Sequence, residues 1–87
     1  MAELSKEDIE FKNKISDRIF NLREESGLSQ IKFAEKHNID RQILNRWESK
    51  TTKRGVTIHT IRKFCKMIGI SIKDFFDSEI FENKKDA

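Results

Sequence analysis

The chain has 87 residues with no proline, three glycines and one cysteine, and its formal net charge is +3. This length supports one hydrophobic core, a single cysteine excludes an internal disulfide, and no apolar run approaches the roughly 20 residues of a membrane span. We therefore expect one domain over residues 1–87 in a reducing cytoplasm, with a core over 5–80, a disordered tail over 82–87, no signal peptide and no membrane contact.

Five helices are predicted from a pattern that repeats at each helix start. An apolar residue precedes a capping side chain, and a second apolar residue follows five positions after the first, so that the turn is clamped and backbone N–H groups are capped. The five sets are Leu4, Ser5 and Ile9; Leu28, Ser29 and Phe33; Ile39, Asp40 and Leu44; Val56, Thr57 and Ile61; and Ile70, Ser71 and Phe75. Together with stop signals at Gly27, Asn38 and Gly69, they predict helices near 6–26, 30–37, 41–49, 58–68 and 72–80. The expected fold is an all-α, compact five-helix domain.

Apolar residues at helical spacing are expected to converge on one core. They are Phe11, Ile15, Ile19, Leu22, Ile31, Phe33, Ala34, Leu44, Trp47, Ile58, Ile61, Phe64, Cys65, Ile68, Ile72, Phe75, Phe76 and Ile80. Ile9 and Phe20 lie on another side of the first helix, and with Ile80 and Phe81 they form a candidate dimer surface. The alternative is that the C-terminal segment folds back and covers Ile9 and Phe20 within the monomer.

The second and third predicted helices are short, and the connector between them favours a large crossing angle. On the third helix the apolar residues point inward, whereas Gln42, Asn45 and Arg46 point outward and Arg41 occupies the exposed first turn. Arg can bind guanine O6 and N7, and Gln or Asn can bind adenine N6 and N7, each with two hydrogen bonds. This face is therefore suited to reading DNA bases.

The positive charge of the chain is concentrated in the same region. The net charge is −2 over residues 1–26, +4 over 27–54 and +1 over 55–87. Such a distribution is expected where a segment meets a polyanion. Taken alone, it fits a solvated basic face equally well.

Residues 28–49 resemble the helix-turn-helix of the phage repressor and Cro-type transcriptional regulators, an XRE-like family. Their sequence is LSQIKFAEKHNIDRQILNRWES. The resemblance extends over about residues 11–77. It implies a sequence-specific double-stranded DNA-binding transcriptional regulator, expected to be a repressor, with the third helix in the major groove. The matching positions are Leu22, Arg23, Leu28, Ser29, Gln30, Phe33, Ala34, Ile39, Asp40, Leu44, Arg46, Trp47 and Glu48. The chain departs from the family at Asn38 (usually glycine), Val56 (often proline) and Ile43 (commonly small or polar).

The resemblance also implies a role for individual residues. Base contacts are expected from Arg41, Gln42, Asn45 and Arg46. Phosphate contacts are expected from Ser29, Gln30, Lys50, Lys53 and Arg54. Arg23 and Glu48 are expected to form a buried structural ion pair that joins the first helix to the end of the third. For each DNA contact, the alternative is a solvated polar side chain.

Regulators that read DNA in this way usually bind as two-fold dimers, with half-sites about 34 Å apart. We therefore expect a homodimer, at least on DNA, on a palindromic operator in a prokaryotic or phage-type nucleoid. A second hypothesis is a protein-interaction module of the same fold, an antitoxin or adaptor that binds a protein partner through Phe20, Ile80 and Phe81. The basic outer face of the third helix favours DNA, because an adaptor would not need it.

Metal binding and catalysis are not expected. His37, His59 and Cys65 lack the spacings of common metal sites, and no Cys-x-x-Cys or His-x-x-x-His pattern is present. No glycine-rich phosphate loop and no distinct carboxylate pair occur in the sequence. We therefore expect no cofactor, no metal and no enzymatic activity.

Overall fold

The structure, a computed structural model, describes residues 4–52 and 55–82. These residues form helices α1 (Lys6–Glu25), α2 (Gln30–His37), α3 (Arg41–Glu48), α4 (Ile58–Ile68) and α5 (Ile72–Phe76), followed by a 3₁₀ helix (Glu79–Phe81). The all-α prediction is confirmed. None of the helices in these two segments is long and apolar enough to cross a membrane. Two predicted phosphate contacts, Lys53 and Arg54, and residues 83–87 of the predicted tail lie outside the described residues.

Each predicted cap occupies its place at a helix start. Ser5, Ser29, Asp40, Thr57 and Ser71 have extended backbones, and their side-chain oxygens each accept a hydrogen bond from a backbone N–H in the first turn. At α1 and α5 the bond is reciprocal, because Asp8 and Asp74 accept from the backbone N–H of Ser5 and Ser71. The starts of the helices are therefore determined by local sequence.

The core lies where α4 meets the other helices. The ring of Phe64 contacts Phe33 of α2 at 5.8 Å, Trp47 of α3 at 6.3 Å and Phe75 of α5 at 6.3 Å, measured between ring centroids. The buried cluster consists of Ile15, Ile19, Phe33, Leu44, Trp47, Ile61, Phe64, Cys65 and Phe75. Leu44 and Trp47 of α3 belong to this cluster, so the core supports the inner side of α3.

Three residues predicted for the core are exposed: Phe11 by 51%, Ile31 by 53% and Ile58 by 56%. Ile31 lies two residues before the buried Phe33, and therefore about 200° away around the helix. Ile58 lies only about 60° from the inward-facing Ile61 around the helix, but it is the first residue of α4 and is exposed at the helix end. Phe11 lies on the part of α1 that precedes the core and contacts the ring of Phe81 at the surface.

The prediction of a last helix over 72–80 is wrong in its second half, because α5 ends at Phe76. The backbone of Asp77 (φ −86°, ψ 77°) leaves the helix, and the side chain of Ser78 then caps the 3₁₀ helix. This break turns Phe81 back onto Phe76, at 5.0 Å between centroids. The folded-back segment does not cover the two apolar residues of α1, since Ile9 remains 43% exposed and Phe20 42% exposed.

Candidate nucleic-acid interface

The turn between α2 and α3 sets the direction of α3. Asn38 has a left-handed backbone (φ 55°, ψ 47°), and the N–H of Ile39 donates to the carbonyl of Ala34 at 3.0 Å. Asp40 then caps α3, because its carboxylate accepts from the N–H of Gln42 at 2.8 Å. The asparagine that replaces the usual glycine therefore supports the left-handed turn.

The outer face of α3 is open to solvent. Arg41, Gln42, Asn45 and Arg46 are all exposed, whereas Leu44 on the opposite side is fully buried. In residues 4–52 and 55–82, the guanidinium groups of Arg41 and Arg46 make no hydrogen bond or ion pair. The four predicted base-contacting residues are thus brought together on one accessible helix. Ile43, 39% exposed, lies beside them.

The end of α3 is fastened to α1 by a buried ion pair. Arg23 Nε donates to Glu48 Oε2 at 2.6 Å and Arg23 Nη2 donates to Glu48 Oε1 at 3.1 Å, with both side chains about 5% exposed or less. Arg23 Nη1 also donates to the carbonyl of Leu28, at 2.8 Å, just before α2. The hydrogen bonds with Glu48 raise the pKa of the Arg23 guanidinium above its ordinary value, although burial opposes the shift. The pair therefore ties α1, the start of α2 and the end of α3 together.

A family model described as helix-turn-helix matches residues 19–75. The chain belongs to the XRE-type helix-turn-helix family. Its members are DNA-binding transcription regulators, so the predicted family is confirmed. Neither the curated proteins nor the solved structures gave a match to the chain. The matched segment contains the ion pair and all of α2, α3 and α4, whereas residues 6–18 of α1 precede it.

Gln30 of this helix-turn-helix protein connects the ion pair to the reading face. Its Nε2 donates to Glu48 Oε1 at 2.9 Å and to Asn45 Oδ1 at 3.3 Å. Since a carboxylate can only accept, the Gln30 amide nitrogen must point toward Glu48. Asn45 then accepts with its oxygen and keeps its amide N–H groups to donate elsewhere. Sequence reasoning assigned Gln30 to phosphate alone and missed this contact, which carries no local spacing signal.

The predicted phosphate contacts that the structure describes have different surroundings. Ser29 is exposed, and its hydroxyl oxygen accepts the N–H of Lys32 at 3.2 Å. Gln30 is half-buried and donates to Glu48 and Asn45. Lys50 forms an ion pair with Asp17 of α1, at 2.9 Å between Nζ and Oδ1, and its side chain remains 56% exposed. Binding a phosphate through Lys50 would therefore compete with, or add to, its bond to Asp17.

The four residues of the predicted dimer surface are not equally accessible. Ile9 and Phe20 are exposed on α1, whereas Ile80 and Phe81 are half-buried in the 3₁₀ helix. The guanidinium of Arg23 lies over the ring of Phe20, 5.3 Å from its centroid. Phe20 thus presents its other face to solvent.

A basic face on α4 was missed by the sequence reasoning. His59, Arg62, Lys63 and Lys66 are exposed and, with Met67, line a shallow groove of about 500 Å³. Their spacing at positions i, i+3, i+4 and i+7 places them on one side of the helix, and this spacing was available as a signal. α4 contains no acidic residue, so the positive charge of the protein extends beyond the helix-turn-helix.

His37 and Cys65 have ordinary packing roles. His37 lies against the ring of Phe33, at 4.4 Å between centroids, and burial lowers its pKa, with a smaller contribution from Lys36. Cys65 is buried in the core, and burial raises the pKa of its thiol. Across the part of the chain that the structure describes, no group of three His, Cys, Asp or Glu residues is placed to hold a metal ion.

Proposed function

We propose that this protein is a sequence-specific repressor that inserts α3 into the major groove of double-stranded DNA. The proposal rests on the outer face of α3, where four polar side chains are exposed on the side opposite the buried Leu44 and Trp47. A short helix held rigidly from behind can present its side chains to base edges without a large loss of entropy on binding. The bound protein would repress transcription by blocking access to the operator.

The proposed base contacts are Arg41, Gln42, Asn45 and Arg46. The hydrogen bond from Gln30 to Asn45 Oδ1 restricts the orientation of the Asn45 amide. A paired contact with adenine uses both the amide oxygen and the amide nitrogen, and the oxygen keeps a second lone pair for it while the first accepts from Gln30. We therefore propose that Asn45, oriented by Gln30, makes the paired contact with adenine N6 and N7.

The proposed phosphate contacts are Ser29, Gln30, Lys50, Lys53 and Arg54. Neutralisation of phosphates by these groups would release counterions, so the affinity should fall steeply as the salt concentration rises. Arg23 and Glu48 are proposed to act only by holding α3 in position. Their side chains are too deeply buried to contact DNA.

Substitution of Gln42 by alanine tests the reading face. The Gln42→Ala variant should lose about 1–3 kcal/mol of discrimination at one base pair, whereas Lys53→Ala should weaken binding to all sequences alike. The operator would first be selected from a random DNA pool, and single base-pair variants would then be titrated at fixed salt. Asn21→Ala, an exposed amide on α1, is the matched control. An unchanged base preference in Gln42→Ala would show that the reading face is wrongly assigned.

A second candidate function is a protein-interaction module, an antitoxin or adaptor, favoured by the exposure of Phe20. A gel shift with random duplex DNA over a salt series separates the two functions. Binding that weakens with salt supports the regulator. No binding, even at low salt, supports the interaction module.

A further inference from the structure

Residues 6–18 of α1 precede the matched helix-turn-helix segment, yet they contact the chain that follows α3. The hydroxyl of Ser16 donates to the carbonyl of Ser49 at 3.3 Å, and Lys12 Nζ donates to the carbonyl of Lys50 at 3.3 Å. One residue after Ser16, Asp17 holds the ammonium of Lys50. Both the backbone and the side chain of Lys50 are therefore fixed by α1.

The stem of Lys12 also contacts the segment that leads into α4. A Cβ atom added at Gly55 would lie 3.1 Å from Lys12 Cγ, so the backbone of Gly55 packs closely on this side chain. Lys12 thus lies between the residues that leave α3 and the residues that enter α4. A side chain at position 55 would force the stem of Lys12 to shift by a few tenths of an ångström.

Lys12 is buried to an unusual degree for a lysine, with only 8% of its surface exposed. Its ammonium donates to two neutral oxygens, those of Asn13 and Lys50, and among residues 4–52 and 55–82 it has no carboxylate partner. Buried cations are normally paired, because removing a charge from water is costly. The two neutral oxygens hold the Lys12 ammonium in place beside the backbone of Lys50.

The other side of residues 6–18 is anchored to the C-terminal part of the domain. Arg18 Nε donates to the carbonyl of Phe75 at 2.7 Å, and its Nη2 donates to the carbonyl of Asp74 at 2.9 Å. Phe11 contacts Phe81, at 6.1 Å between ring centroids. This part of α1 is therefore anchored on both sides and can hold Lys50 in a fixed position.

We infer that residues 6–18 of α1 form a brace that positions Lys50 for phosphate binding, with Lys12 as the central positioning residue. The inference rests on the proposed DNA-binding function. The brace orders the backbone at residues 49–50 before DNA arrives, which lowers the entropy cost of binding. It carries no sequence information, so it should act equally on operator and random DNA.

The experiment compares the full chain with Lys12→Met and Lys14→Met, titrated with operator and random duplexes over a salt series. Both variants remove one charge from α1, but Lys14 lies about 160° from Lys12 around the helix. Lys12→Met should weaken both duplexes by about tenfold relative to Lys14→Met, the size of one lost charged hydrogen bond. The slope of log K against log salt should become shallower by about one, since each neutralised phosphate contributes roughly 0.9. Lys12→Arg should restore most of the affinity.

Two further variants separate positioning from loss of fold. Ile61→Val, in the core, should lower the melting temperature without changing the salt slope. Ser16→Ala should weaken DNA binding in the same way as Lys12→Met. In the free form of both variants, the backbone amides of Lys50 and Thr51 should exchange hydrogen faster than in the unaltered protein. Equal affinities and slopes for folded Lys12→Met and Lys14→Met would overturn the brace alone. Failure of the unaltered chain to bind any duplex would overturn the proposed function as well.

Discussion

Glu48 is the residue on which the geometry of the interface depends most. Arg23 donates to both of its oxygens, and Gln30 donates to one of them. Its carboxylate is almost completely removed from water, so its partners supply the hydrogen bonds that water would have made. A change at this position should therefore affect the whole junction of α1, α2 and α3.

Substitution of Glu48 by glutamine should destabilise the fold by about 3–5 kcal/mol, because a buried Arg23 charge would lose its bidentate partner. Urea unfolding followed by circular dichroism measures the loss. Glu24→Gln is the control, since Glu24 also contacts Arg23, at 3.3 Å, but is 56% exposed. Glu24→Gln should lower the free energy of unfolding by less than about 1 kcal/mol. Similar losses of stability in Glu48→Gln and Glu24→Gln would mean that the burial of the Arg23–Glu48 pair does not increase its effect on stability.

His37 should make the stability of the domain depend on pH. Burial lowers its pKa in the folded state, so the unfolded chain binds more protons near the ordinary histidine pKa of about 6.5, and stability rises with pH there. Stability should therefore be full above about pH 6.5 and decrease as the pH falls through the lower folded-state pKa. Melting temperatures of the parent and of His37→Gln between pH 5 and 8 test this. His59→Gln, on the exposed side of α4, is the control, and a parent that is no less stable at pH 5 than at pH 7 would contradict the expectation.

The left-handed turn at Asn38 fixes how α3 leaves α2. Alanine at this position should cost about 1 kcal/mol, because its Cβ disfavours a positive φ, whereas glycine should be close to neutral. Chemical unfolding of Asn38→Ala and Asn38→Gly measures the difference. Asn21→Ala, inside α1, should not destabilise the protein, since alanine favours a helix. A tolerated alanine at position 38 would mean that the turn adopts another conformation.

The sequence predicted the elements where the signals were local. The first four helices end within one residue of their predicted bounds, because each has a cap at its start and an apolar face behind it. The fifth was extended too far because Ile80 continues the apolar spacing, while the side chain of Ser78 offers the backbone a competing hydrogen bond. The contacts of Gln30 and Lys12 join residues that are far apart in sequence, so no spacing could reveal them.

Ile9 and Phe20 are the accessible apolar residues of the predicted dimer surface. A two-fold contact uses the same surface on both subunits, so one substitution acts twice. Burying a phenylalanine side chain contributes about 1.5–3 kcal/mol. Dimerisation through this surface should therefore be sensitive to a single change at Phe20.

Phe20→Gln should raise the dimer dissociation constant by at least about tenfold and weaken binding to a palindromic operator, while binding to a single half-site stays unchanged. Sedimentation velocity with and without DNA, combined with titration of both duplexes, provides the measurement. Ile58→Gln is the control, because Ile58 is exposed on α4 outside this surface. A parent that binds the palindrome only as independent monomers would exclude the predicted dimer.

The five capped helix starts also have a kinetic consequence. Each cap is satisfied by residues within one turn, so a helix can begin to form before any distant part of the chain arrives. Small helical domains built from such nearby contacts fold within about microseconds to milliseconds. Rapid refolding after a transient opening would leave Phe64 and the thiol of Cys65 exposed only briefly, which limits aggregation and oxidation.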